Sequence, residues 1–123
     1  MNIFDFGSYL RELLLNDEDI AEKVGTKIFP LVAPEKTTFP FVIYQRSSTY
    51  GDYNKDFLTN YIINIDLVVF STKYADTIEI AELINDCIQK NWTRTRTKPH
   101  LVGSTENFDY DTYYTILSYE IKI

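Results

Sequence analysis

The chain has 123 residues, 45% of them hydrophobic, which is the size of one ordinary domain with enough apolar surface for a real core. Twelve Lys and Arg against 18 Asp and Glu leave a net charge of -6 and a pI near 4.7, so the composition argues against a protein that grips phosphate backbones, which needs clustered cations. A single cysteine, Cys87, excludes an intramolecular disulfide framework and an all-cysteine metal site.

The opening segment spaces Phe6, Leu10, Leu13 and Leu14 helically, with Ser8, Arg11 and Glu12 on the other side, and Asp5 stands where a cap would. It has no basic n-region and carries Asp5 and Arg11, so it does not read as a secretory signal. No apolar run approaches the roughly 20 residues that span a bilayer. The expectation is a soluble protein, intracellular where it is made, with no membrane partner. Asn16-Asp17-Glu18-Asp19 then places acidic groups at the start of a short second helix, with Ile20 and Val24 as its buried points and Gly25 as its end.

From Lys27 the period becomes that of strands. Ile28 to Ala33 and Phe41 to Arg46 are β-type runs, and Ser47 to Asp56 reads as a long polar hairpin connection. Phe57 to Phe70 carries the longest strand signal, with Tyr61, Ile63, Ile65, Leu67 and Val69 on one face and Asn64 and Asp66 on the other. Ser71 and Thr72 are good caps for a helix running to about Trp92, whose apolar stripe is Ile80, Ile84, Cys87, Ile88 and Trp92. Arg94 to Lys98 reads as a solvated connector. Leu101 to Phe108 is a weaker strand, Asp109-Tyr110-Asp111 a turn, and Thr112 to Ile123 a terminal strand with Tyr113, Thr115, Leu117, Tyr119 and Ile121 on one face. No linker divides the chain. Residues 1–123 are expected to form one α+β domain, an antiparallel sheet of about four strands with two main helices packed on one face as a two-layer sandwich.

No chemical motif stands out. His100 has no companion ligands in a recognisable spacing, and Cys87 lies on an apolar helical stripe, where a free cysteine behaves as a small hydrophobe. Asp76, Glu79, Glu82 and Asp86 follow helical spacing on a polar face. Neither a dinucleotide fingerprint nor a phosphate-cradling glycine loop is present. No catalytic residue, cofactor or metal is expected. What is abundant is aromatic: ten Tyr, eight Phe and one Trp. Tyr50, Tyr53 and Phe57 surround the polar hairpin, and Tyr110, Tyr113 and Tyr114 surround the last turn. These are the candidate residues for contact with other chains, because tyrosine pairs a flat apolar body with a polar tip.

The run Gly25-Thr26-Lys27-Ile28-Phe29-Pro30, then Ala33-Pro34, then Phe39-Pro40-Phe41-Val42-Ile43-Tyr44-Gln45 resembles the phage tail-completion family, the tail-terminator or head-tail joining proteins of long-tailed phages. Phe70 to Ala75 and the closing strand Tyr113 to Ile123 extend the likeness over nearly the whole chain. Gly25, Phe29, Pro30, Pro34, Pro40 and Tyr44 are the motif positions, with structural roles. The resemblance implies a non-enzymatic virion component, encoded by a phage or prophage and assembled in the bacterial cytoplasm. It would form a ring, with a hexamer as the expected number, at the end of the tail tube. Its partners would be further copies of itself, the tail-tube protein and head-tail connector proteins. An interaction module of a phage-derived injection apparatus and a small enzyme using Cys87 or His100 stand as the alternatives. An acidic ring would not adhere to DNA in its lumen.

Overall fold

Helix α1, Phe6–Leu15, buries Phe6, Leu10 and Leu14 on one stripe, as side chains four apart on a 3.6-residue helix must. Asp5 occupies the N-cap position, but its side chain makes no capping bond and is held by Arg94 instead. Helix α2, Glu18–Val24, is capped by Asp17, whose Oδ1 accepts from the N–H groups of Asp19 and Ile20, each at 3.0 Å. Gly25 ends it at φ 61°, a conformation that glycine adopts at little steric cost. The computed structural model describes residues 3–54 and 57–123, with 52, 54 and 57–59 described in backbone only.

Strand β1 is short, Ile28–Pro30. The apolar run to Ala33 does not continue it, because Leu31 turns to φ 65° and leaves Leu31 and Val32 more than 70% exposed. Strand β2, Phe41–Asn54, and strand β3, Phe57–Ser71, replace the expected polar connection from Ser47 with paired backbone. Residues 55 and 56 of that connection lie outside the described residues. Asn64 Nδ2 donates to Ser48 Oγ at 2.8 Å and Ser47 Oγ donates to the Asn64 carbonyl at 3.2 Å. Cross-strand pairing of this kind lets a polar stretch with weak alternation stay extended. The register slips between Arg46 and Ser48 and again between Asp52 and Tyr53, the signature of bulges.

Helix α3, Tyr74–Asn91, starts one residue later than a Thr72 cap implies and two later than a Ser71 cap; Lys73 is at the N-cap, and Ser71 Oγ accepts the Lys73 N–H at 3.1 Å. Strands β4, His100–Asp109, and β5, Thr112–Lys122, close the chain. The sheet order is β1-β2-β3-β5-β4, with β1 parallel to β2 and every other pair antiparallel. The sheet is therefore mixed and five-stranded rather than antiparallel with about four strands. The cause is the segment 31–40, which is long enough to carry the chain back to the start of β1 before β2 begins. The α+β class stands, with two longer helices, α1 and α3, and the short α2 between α1 and β1 in chain order.

One face of the sheet is covered. Val42, Ile63, Ile65, Leu67, Val69, Leu117, Tyr119 and Ile121 meet the buried stripes of α1, α2 and α3 in a common core cluster. Trp92 plugs its end, stacked on Phe6 at 6.1 Å between ring centroids and met edge-on by Tyr9 at 4.8 Å. Its Nε1–H donates to Thr95 Oγ1 at 2.8 Å, so the indole's polar edge is satisfied, as a buried Trp requires.

Candidate functional site

The groups that chemistry would need are kept apart. Cys87 is sealed between α3 and α1, its thiol directed at the Leu13 carbonyl at 3.6 Å. Burial pushes this thiol up to about 11, away from the thiolate a nucleophile needs. His100 is exposed at the start of the outermost strand β4. Of the α3 carboxylates, Glu79 pairs with Lys23 of α2 at 3.1 Å, which fastens two helices and raises the lysine's affinity for its proton. Among the described residues no group of three or more His, Cys, Asp or Glu could hold a metal ion, and no helix is long and apolar enough to cross a membrane.

The motif positions serve the fold. Gly25 caps α2, Phe29 and Pro30 pair with Ile43 and Tyr44 across β1 and β2, and the Pro34 carbonyl accepts the Thr37 N–H at 3.3 Å in the loop between them. Pro40 stands immediately before β2. Tyr44 lies against Gly7, where an added Cβ would come within 3.1 Å of its ring; glycine there lets β2 approach α1. Arg11 Nε donates to the Ile28 carbonyl at 2.8 Å, tying the same helix to β1.

The candidate aromatics separate into different places. Tyr50 and Tyr53 are 48% and 64% exposed on the half of β2 that runs beyond β1. Phe57 pairs through its backbone with Asn54, and its side chain lies outside the described residues. At the opposite end of the strands Tyr110 is 92% exposed at the apex of the β4–β5 turn. Tyr113 is braced by Phe108 at 4.7 Å and by Tyr74 at 5.7 Å, and Tyr74 Oη donates to Glu106 at 2.8 Å, which raises the phenol's hold on its proton. Tyr114 belongs to another row.

That row was not singled out from the sequence. Phe39, Phe41, Phe70 and Tyr114 stack successively, with centroids 5.3, 5.0 and 5.6 Å apart, across the sheet face that carries no helix. Phe41, Phe70 and Tyr114 are in register, and Ile43, Val68 and Ile116 form the next row on the same face. The sequence signal is the alternation itself: these apolar residues fall on the face opposite the core positions.

Two further features are open to partners. All ten residues of β4 are exposed, and the strand is the outer member of the sheet. A groove of 530 Å³ lies where the connector after α3 meets the ends of β3 and β5, lined by Arg94, Arg96, His100, Glu120 and Lys122 among others. Arg96 and Lys122 are exposed. Arg94 is not the solvated residue its sequence context implies: its guanidinium pairs with Asp5 and lies over the rings of Phe6 and Tyr9.

The architecture is thus that of an α+β domain with one face sealed by helices and its other face and outer strand open. No family model matches the chain, and no curated protein matches it. Among solved structures, the chain is similar to one in the virion of a native gene transfer agent (GTA) particle. The TM-score is 0.79 at 14% identity, with 95% of this chain and 92% of that chain covered. At that identity the likeness is one of fold, and it extends over both chains almost end to end.

Proposed function

We propose that this protein is a non-enzymatic structural component of a phage or prophage virion, acting as a ring at the end of the tail tube that terminates the tail and joins it to the head. The observation that carries the reading is the nearly full-length fold similarity to a chain of a gene transfer agent virion particle. The tail-completion motif from Gly25 to Gln45 supports it from a separate direction. The arrangement suits the role: a sealed core leaves an outer strand, an aromatic sheet face and a two-stranded arm for neighbours, and sheet edges extend readily by main-chain pairing. The ring's other partners are the tail-tube protein and the head-tail connector, reached in the bacterial cytoplasm as particles assemble.

The Tyr50, Tyr53 and Phe57 end of the β2–β3 arm is the contact with a neighbouring subunit or the tail tube. The triple serine variant tests this in a strain whose own copy is deleted. The expected result is folded protein in the lysate with unjoined heads and tails under the electron microscope. Normal particle yield from the triple variant would remove the arm from the account.

A further inference from the structure

The β4–β5 hairpin carries opposite features at its two ends. Its connection is only two residues, Tyr110 and Asp111, at φ 49° and 58°. Both central residues of such a turn are left-handed, the geometry for which Asn-Gly is the usual choice. A tyrosine there costs roughly 1–2 kcal/mol against glycine, so local turn chemistry does not explain it. Nor does packing: Tyr110 is 92% exposed, flanked by the carboxylates of Asp109 and Asp111. A bulky residue held in a disfavoured conformation with its ring in solvent points to a contact outside the chain.

At the other end of the same hairpin, roughly 30 Å away at ~3.3 Å per residue, lies the groove lined by Arg94, Arg96, His100, Glu120 and Lys122. Arg94 is committed to Asp5, whereas Arg96 and Lys122 place two exposed cations on the rim, and Glu120 supplies the one side-chain carboxylate among the described residues that line it. The groove's volume of 530 Å³ is ample for one aromatic side chain. An aromatic knob with an acid on each side and an open groove with a cationic rim are complementary in size and charge.

We infer that the Asp109-Tyr110-Asp111 tip of one copy seats in the Arg96/His100/Lys122 groove of a second copy. Tyr110 enters the groove, and the two carboxylates meet the cationic rim. The contact joins two different surfaces, so it is heterologous and generates a ring when its rotation closes. It rests on the ring reading above and names the surfaces that hold the ring together. Salt weakens it, since the rim charges are exposed.

The test uses two variants of the full chain. Tyr110→Asn removes the ring and leaves a residue better suited to the turn, so the hairpin is not endangered. Arg96→Glu with Lys122→Glu reverses the rim. Native mass spectrometry and sedimentation velocity are run over a range of concentrations, with and without purified tail tubes. The wild type is expected to form oligomers, and each variant alone to associate at least about tenfold more weakly. An equimolar mixture of the two variants is expected to stop at a 1:1 heterodimer, because one supplies an intact groove and the other an intact tip. Variants that assemble like the wild type, or a mixture that gives no heterodimer or gives complexes beyond it, overturn this contact while leaving the ring reading in place. A wild-type chain that stays monomeric even with tail tubes overturns the ring reading and the contact together.

Discussion

Arg94 lies over the ring of Tyr9 with its guanidinium carbon 5.3 Å from the centroid, joining the connector after α3 to the first helix across most of the chain. The same guanidinium pairs with Asp5 and covers Phe6 at 5.1 Å. The Tyr9 hydroxyl in turn accepts the Thr93 N–H at 3.2 Å. Arg94→Ala is expected to cost about 1–2 kcal/mol, the sum of a partly exposed ion pair and cation–π contact. Arg94→Lys is expected to recover only part of that, since an ammonium cannot lie flat on two rings while pairing with a carboxylate. Urea denaturation of the three proteins measures both.

Trp92→Ala is expected to be far more damaging, at about 3–5 kcal/mol. The indole is 2% exposed, contacts Phe6 and Tyr9, and donates to Thr95. Its loss opens a cavity under α1 and frees the connector that Arg94 also anchors. A thermal melt of the variant tests this, with a loss of less than about 1 kcal/mol counting against the packing described.

Alkali should lower the protein's stability over two overlapping pH ranges. Burial raises the Cys87 thiol from 9.0 to about 11, and burial, with the charge of Asp86 adding to it, raises the Tyr119 hydroxyl well above its ordinary value. In both cases the folded state holds the proton more tightly. Their stabilisation is complete below the unfolded pKa and is lost as pH rises above it, from about pH 9 for the thiol and from about pH 10 for the phenol. Cys87→Ala should flatten the first part of the loss between pH 9 and 11. Stability curves with identical alkaline slopes for the variant and wild type would contradict the assignment.

Tyr119 Oη also donates to Asn85 Oδ1 at 2.8 Å. Tyr119→Phe is therefore expected to cost about 1 kcal/mol at neutral pH and to reduce the alkaline loss above pH 10. The crossing of the two stability curves is the diagnostic, because a purely packing role for the ring would leave them parallel.

Thr115 points the other way. It is 4% exposed on the core side of β5, and its Oγ1 has no hydrogen-bond partner among the described residues. Thr115→Val replaces a buried, unsatisfied hydroxyl with a methyl and should stabilise by about 1 kcal/mol, read as a rise in melting temperature.

The local elements were legible because each depends on residues close together in sequence. The stripe Ile80, Ile84, Cys87, Ile88 and Trp92 is buried as its spacing requires, and the face of β3 from Ile63 to Val69 is buried at every second residue. Gly25 closes α2 as expected. The segment from Ser47 misled for the same reason: its own alternation is weak, and what keeps it extended is pairing with residues 57–65, which periodicity does not register. Leu31 misled in the opposite sense, since an apolar side chain carries no sign that its backbone will turn to positive φ.

The sequence by itself determined the class of element in most segments, the faces that enter the core, the place of Cys87 on an apolar helical stripe and the aromatic surplus. Those properties follow from side-chain period, composition and short-range backbone preference. Only the tertiary structure decided that β1 runs parallel to β2 and that the Phe41, Phe70 and Tyr114 rings align across three strands. It alone took Arg94 out of solvent and set an acidic tyrosine tip and a cationic groove at opposite ends of one hairpin. Each of these joins residues distant along the chain, and strand order and register, rather than any local pattern, determine which of them meet.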